Sequence, residues 1–176
     1  MEELSTTAIV LKNEPKGEQD ALVSLLTERW GKVEATATSA RKITSKLAGH
    51  LQPLHIVRVR LAHKNGFRLA DALTIRIAAK NPDMLDFLGF IDQMTPPLAP
   101  DGRLWQAVRK ILTEASVRPD YRPLLAVLGF DPRFADCDRC DSRVIRHFNK
   151  EDFIFLCRSC GEKGKNALDP KIWLTL

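Results

Sequence analysis

The sequence predicts an α+β chain in three parts: an N-terminal OB-type β-barrel, a small helical domain and a C-terminal four-cysteine module of zinc-ribbon character. Three observations carry this reading. Five segments of strand pattern fill the first 80 residues, apolar runs at helical spacing follow Asn81-Pro82-Asp83, and all four cysteines fall in two Cys-x2-Cys pairs. The boundaries drawn on that pattern are residues 1–80, 81–132 and 133–176.

In the first part, Thr6 to Leu11 and Ala21 to Leu26 are apolar runs of strand length, and Val33, Ala35 and Ala37 alternate with Glu34, Thr36 and Thr38. Asn65-Gly66 suits the two positive φ angles of a type I′ hairpin turn, so residues 55 to 63 and 67 to 78 should pair. Val57, Val59 and Leu61 alternate with Arg58 and Arg60; Phe67, Leu69, Leu73, Ile75 and Ile77 alternate with Arg68, Thr74 and Arg76. The apolar set should face the core and the arginines the solvent. Ile43 to Ala48 is read as one helical segment between the third and fourth strands, which completes the OB pattern.

Asn81 is a candidate N-cap and Pro82 suits the first helical position, where its missing N–H costs nothing. Met84, Leu85, Phe87, Leu88, Ile91 and Met94 make a first apolar helix, stopped at Thr95-Pro96-Pro97. Leu104, Val108, Ile111, Leu112 and Ala115 mark a second, and Leu124, Leu125 and Leu128 a short third. These faces should cover one another and the barrel; the functional alternative is a groove for a partner peptide.

Cys137-x2-Cys140 and Cys157-x2-Cys160 stand 16 residues apart, the spacing of a four-thiolate zinc site. The spacer reads as a hairpin, Val144 to Phe148 and Phe153 to Leu156 about the turn Asn149 to Asp152. Gly161 supplies a permissive backbone after the second pair, and Asp141 takes that place after the first. Arg139, Arg143, Arg146, Arg158, Lys163 and Lys165 stand near to offset the −2 charge of four thiolates and one Zn²⁺. A closed four-thiolate site leaves no open coordination position, so one structural zinc is expected. In a redox Cys-x-x-Cys the pair opens a helix, and neither pair here is expected to. The apolar end, Ile172 to Leu176, should pack down.

The chain has 176 residues and a formal charge of +5, all of it in the first half. Residues 1 to 80 hold 13 Lys and Arg against 8 acids, and residues 29 to 68 hold nine basic side chains against Glu34 alone. Such a block creates a field for a polyanion. Lys32, Arg41, Lys42, Lys46, Arg58, Arg60, Arg68 and Arg76 are the candidate nucleic-acid-binding residues, placed to track a phosphate backbone. Trp30 and Phe67 are the only aromatics in that part, so binding should rest on charge, ignore base sequence and fall steeply with salt. No apolar run reaches membrane-helix length, and the acidic opening Met1-Glu2-Glu3 lacks a secretory n-region, so a cytoplasmic, nucleoid-associated location is expected. Phosphate-loop, dinucleotide and hydrolase motifs are absent, and His50, His55, His63 and His147 stand apart from any catalytic spacing; the chain is read as a non-enzyme.

Several strings resemble the bacterial recombination mediator family RecO. They are Thr7-Ala8-Ile9-Val10-Leu11-Lys12, Gly17-Glu18-Gln19-Asp20, Leu25-Leu26-Thr27 and Gly31-Lys32-Val33 in the opening strands. Ser39-Ala40-Arg41-Lys42 and Ser45-Lys46-Leu47-Ala48-Gly49-His50-Leu51-Gln52-Pro53 follow. The run Leu124-Leu125-x2-Leu128-Gly129-Phe130-Asp131-Pro132 resembles the approach to the zinc module of metal-bearing members. The resemblance implies binding of single- and double-stranded DNA, annealing of complementary strands, and help for RecA in replacing single-strand binding protein (SSB), with RecR and SSB as partners. This chain is shorter than typical members; the family's SSB pocket lies in the helical domain, which is compressed here. The rival readings are an RNA-binding or ribosome-associated barrel with a zinc ribbon, and an adaptor whose apolar helices bind protein.

Overall fold

The computed structural model describes residues 2–114, 118–163, 168–169 and 172–176. The predicted Ala115 and Lys165 lie outside the described residues. Two compact units are present, Met1–Pro119 and Asp120–Leu176. The sequence drew three parts, with cuts after residues 80 and 132; the structure makes one cut, after 119.

In the first unit, β1 (Glu2–Lys16), β2 (Asp20–Thr27), β3 (Gly31–Ala37), β4 (His55–His63) and β5 (Phe67–Ile77) close a barrel in the order β1-β2-β3-β5-β4. The long β1 makes closure possible. Its second half pairs with β2 from Ala8↔Thr27 to Lys16↔Asp20, and its first half pairs with β4 from Glu2↔His63 to Ile9↔Ile56. A short parallel contact, Ala35↔Phe67 and Thr36↔Arg68, joins β3 to β5. Small and β-branched residues fill the interior, including Ala8, Val10, Val23, Val33, Ala35, Val57 and Val59, all at most 1% exposed. Alternation puts them on one face, and closure leaves that face no route to water.

Three local expectations need correction. The β4–β5 connection is a three-residue loop, 64–66, enclosed by the pair His63↔Phe67, and Gly66 alone of Asn65-Gly66 takes a positive φ, +110°. It is not a type I′ turn, which requires positive φ at both residues. Residues 43–48 form no helix: the segment runs through successive turns, with Lys42 N–H donating to Ser39 O and Ser45 N–H to Lys42 O. Ile43, Thr44 and Ser45 are indifferent helix formers, so little local propensity supports a helical nucleus there. Finally, Leu73, Ile75 and Ile77 face outward, 62%, 53% and 60% exposed. Register shifts between Arg60 and Leu61 and between Ile56 and Val57 each insert an extra residue in β5, Ala70 and Ile75. One extra residue reverses the inside-outside parity, so Ala72 takes the inward place expected of Leu73.

Helix α1 (Pro82–Met94) begins as the sequence predicts, with the Asn81 side chain accepting from Met84 N–H at 2.8 Å. Its buried face is Met84, Phe87, Leu88, Phe90 and Ile91, and the helix packs on β1. Helix α2 (Gly102–Thr113) is capped by Asp101, whose carboxylate accepts from Arg103 and Leu104 N–H and is held below the usual carboxylate range by the Leu104 amide first. Because α1 and α2 bury their apolar faces within the barrel unit, they are part of it and do not form the separate helical domain expected. None of the helices among the described residues is long and apolar enough to cross a membrane.

The second unit holds α3 (Arg122–Val127), a 3-10 turn at Pro132–Phe134, β6 (Ile145–Asn149), β7 (Phe155–Cys157), α4 (Arg158–Glu162) and β8 (Trp173–Thr175). The sheet order is β7-β6-β8, antiparallel throughout. The predicted spacer hairpin is β6–β7, and the apolar chain end is β8, which lays Leu174 against Phe148.

Candidate nucleic-acid interface and metal centre

The eight candidate DNA-binding residues do not share one environment. Lys32, on β3, is largely withdrawn: its side chain is 15% exposed, and its ammonium bonds to the Asp92 carbonyl and lies 3.8 Å from the Asp92 carboxylate. Ser24 donates to the same carboxylate at 2.6 Å. Lys32 is therefore a strut that fastens α1 to the barrel. Nothing in the local sequence announces this, because Asp92 lies 60 residues away. Arg76 is partly engaged in the same way, donating to Thr113 O at 3.0 Å at the end of α2.

Arg41 is exposed, but its guanidinium donates to Gly17 O at 2.8 Å and Glu18 O at 3.3 Å, which pins the β3–β4 connection to the β1–β2 turn. Lys42 and Lys46 stand out from that pinned connection, exposed to solvent. Arg58 and Arg60 point outward from β4 as predicted, Arg60 lying 3.5 Å from the Glu3 carboxylate. Arg68 opens β5 beside the 64–66 loop.

Arg68 also lines a 540 Å³ groove with Lys16, Asp20, Glu34, Thr36, Asn65 and Phe67. The groove lies over β2 and β3 between the β1–β2 and β4–β5 connections, the side on which OB barrels take oligonucleotides. Lys16 donates to Thr36 at 2.9 Å across it. Sequence reasoning missed Lys16 in this groove, and Lys64, exposed in the loop next to its Asn65 and Gly66. The signal available was their position at the two strand ends that flank an OB ligand face.

In the second unit the cysteine sulfurs of Cys137, Cys140, Cys157 and Cys160 all lie within 4.8 Å of one another, the arrangement the spacing predicts. Cys140 and Cys157 are 3.6 Å apart, and a tetrahedral thiolate site with metal–sulfur bonds of about 2.3 Å has sulfur–sulfur edges of about 3.8 Å. The donor set therefore fits a metal ion. The first pair sits in a tight turn. Cys140 and Asp141 N–H both donate to Cys137 O, and Asp141 takes the left-handed conformation, φ +55°, as expected of its place.

The second pair departs from expectation, because Cys157 caps α4 and Cys160 lies within it. Gly161 is accordingly helical and does not need a positive φ; its use is steric, since a Cβ there would come within 2.5 Å of the His147 ring. The Ser159 hydroxyl, 3.2 Å away, and then the Cys160 amide lower the Cys157 thiol to about 6. Hydrogen bonding to Cys140 first, and burial next, push Cys160 up to about 12. Of the predicted charge-balancing cations, Arg139 reaches Cys160 O at 3.3 Å, whereas Arg143 and Arg158 pair with Asp136 and Glu162.

Residues 1–78 match the family model described as Recombination protein O N terminal. The chain is similar to the DNA repair protein RecO of Thermodesulfovibrio yellowstonii, 28% identical over 180 residues that cover 89% of this chain and 69% of the relative. It is likewise similar to the DNA repair protein RecO of Dehalococcoides mccartyi, 28% identical over 90% of this chain and 70% of the relative. For that of Nocardioides sp. the values are 26%, 93% and 77%.

Proposed function

We propose that this chain, which belongs to the RecO family, is a non-catalytic DNA-repair and recombination mediator. It binds single- and double-stranded DNA through the barrel, anneals complementary strands, and assists loading of RecA on SSB-coated DNA with RecR. The observation that carries the reading is a run from Ala35 to Ala70 without one carboxylate, whose Lys42, Lys46, Arg58, Lys64 and Arg68 are exposed on the barrel strands and their connections.

Those cations neutralise phosphates, and in doing so release counterions. Phe67 is the one aromatic of the groove and is only half-exposed, so bases are gripped weakly on their faces. Watson–Crick edges then stay free while two strands with neutralised phosphates approach each other. That combination is what annealing requires.

Zn²⁺ is the ion that four clustered thiols select. When bound it supplies a cross-link between the Cys137 turn and the start of α4, and the closed donor set leaves no position for substrate. Fluorescence anisotropy of labelled oligonucleotides against salt tests the DNA reading. Affinity should fall linearly on a log–log plot, and the triple substitution of Lys42, Lys46 and Arg68 by Ala should reduce the slope by about 2 to 3. An unchanged slope places the interface elsewhere, and binding confined to RNA favours the ribosome-associated alternative.

A further inference from the structure

Ile43 is 105% exposed, the most exposed large apolar side chain among the described residues, and it stands at the apex of the basic β3–β4 connection. Ser45 N–H donates to Lys42 O at 2.9 Å, which makes Ile43 and Thr44 the two corner residues of a turn. Turn corners favour Gly, Pro, Asn, Asp and Ser, which supply unusual φ angles or local hydrogen bonds, and a β-branched aliphatic residue supplies neither. Ile43 touches no core, so it also gains nothing from packing. A residue that breaks the local rule without a structural return marks a site with another use.

The arm that carries it is held firmly. Arg41 N–H donates to Gln19 O at 2.9 Å and its guanidinium to Gly17 O, while Ala40 and Leu51 are buried on either side. Lys42 and Lys46 flank the apex, exposed, and no carboxylate occurs between Glu34 and Asp71. An apolar tip between two exposed ammonium groups is the complement of a nucleic-acid strand, with charged phosphates outside and apolar base faces within. Proteins that unstack bases use this combination of cations and an aliphatic wedge.

We propose that Ile43 is a wedge that enters between neighbouring bases of a DNA strand whose phosphates Lys42 and Lys46 hold. The inference rests on the DNA-binding reading above and adds a means of unstacking bases before they pair.

The test uses the full chain and an oligonucleotide carrying 2-aminopurine between adenines, whose emission rises when the base is unstacked. Wild-type protein should raise the emission. Ile43→Ala should abolish most of the rise and weaken binding about tenfold, with the salt slope unchanged because no phosphate contact is lost. Lys42→Ala should do the reverse, lowering the slope. Equal emission and affinity for wild type and Ile43→Ala overturn the wedge while the DNA reading stands; wild-type protein that binds no DNA overturns both. A loss confined to vesicles of phosphatidylserine and phosphatidylcholine, with DNA emission unchanged, overturns it in favour of a membrane contact. Ile43→Ala should melt with the wild type, because the side chain is in water.

Discussion

In the barrel unit fifteen buried residues of one apolar cluster close around themselves, from Ala8 on β1 to Ala72 on β5. In the cysteine unit the cluster around the sulfurs has four buried members, Cys137, Cys157, Cys160 and Leu156, and a second group sets Phe148 and Phe155 against Phe130 and Phe153. The sheet that carries that cluster has strands of five, three and three residues. A closed ring of strands has no edge to protect and an interior that water cannot enter, so hydrophobic burial stabilises it by itself. A three-strand sheet of this size buries little surface against its conformational entropy, and a metal held by the four thiols would add a cross-link that only the folded state can make. The barrel therefore draws its stability from composition spread over many positions, whereas the second unit combines a small aromatic cluster with four sulfurs placed to hold a metal.

Removing the metal should separate the two units most clearly. Chelation of the zinc-loaded chain, or Cys137→Ser, should unfold Asp120–Leu176 and leave the barrel's strand signal intact, since metal binding contributes on the order of 10 kcal/mol of folding free energy in small zinc modules. Two calorimetric transitions, only one of which responds to chelator, would show it. The same site sets a pH dependence. Metal uptake needs thiolates, and Cys160, pushed up to about 12, must surrender a proton to bind. Apparent affinity should fall as pH drops, and fall further below about 6, where Cys157 is protonated as well. Chromophoric chelator competition between about pH 8 and about pH 5.5 measures that.

Gly31→Ala probes the barrel. Gly31 has φ +69°, and a Cβ there would collide with the Ala99 carbonyl, so about 3 kcal/mol of stability should be lost in urea unfolding, with the metal transition unmoved. Asp92→Ala should cost less, about 1–3 kcal/mol, by leaving the Lys32 ammonium without its carboxylate and Ser24 without its acceptor. Arg60→Ala should cost least. Its partner Glu3 is about half exposed, and such pairs contribute less than about 1 kcal/mol, so thermal melting should hardly move.

Much of both units is legible in the sequence, for reasons that differ. The five strands, the Asn81 cap and the cysteine cluster rest on short-range rules: period-2 alternation, a capping side chain, a fixed cysteine spacing. What escaped them was non-local. Ala70 shifts the register of β5 and turns Leu73 outward, yet a bulge leaves no mark in a pattern of alternating residues. Lys32 reads as one more cation of a basic stretch until α1 brings Asp92 beside it. Ile43, Thr44 and Ser45 are indifferent helix formers, and the bonds that tie the segment down run from Arg41 to Gly17 and Gln19, in a turn distant in sequence. For the same reason the helices α1 and α2 joined the barrel, since an apolar face in sequence does not say which surface it will cover.

If the barrel's basic surface lets two DNA strands approach while their base edges stay free, the protein must speed the pairing of complementary strands. The direct measurement is the rate at which zinc-loaded protein turns two complementary oligonucleotides into duplex, one strand labelled, from low to high salt, with matched RNA strands in parallel. DNA should anneal faster than it does unaided, with the acceleration fading as salt rises and diminished in the Lys42, Lys46 and Arg68 triple Ala variant. No acceleration at low salt, or acceleration that salt does not touch, would rule out a charge-driven annealing surface on the barrel.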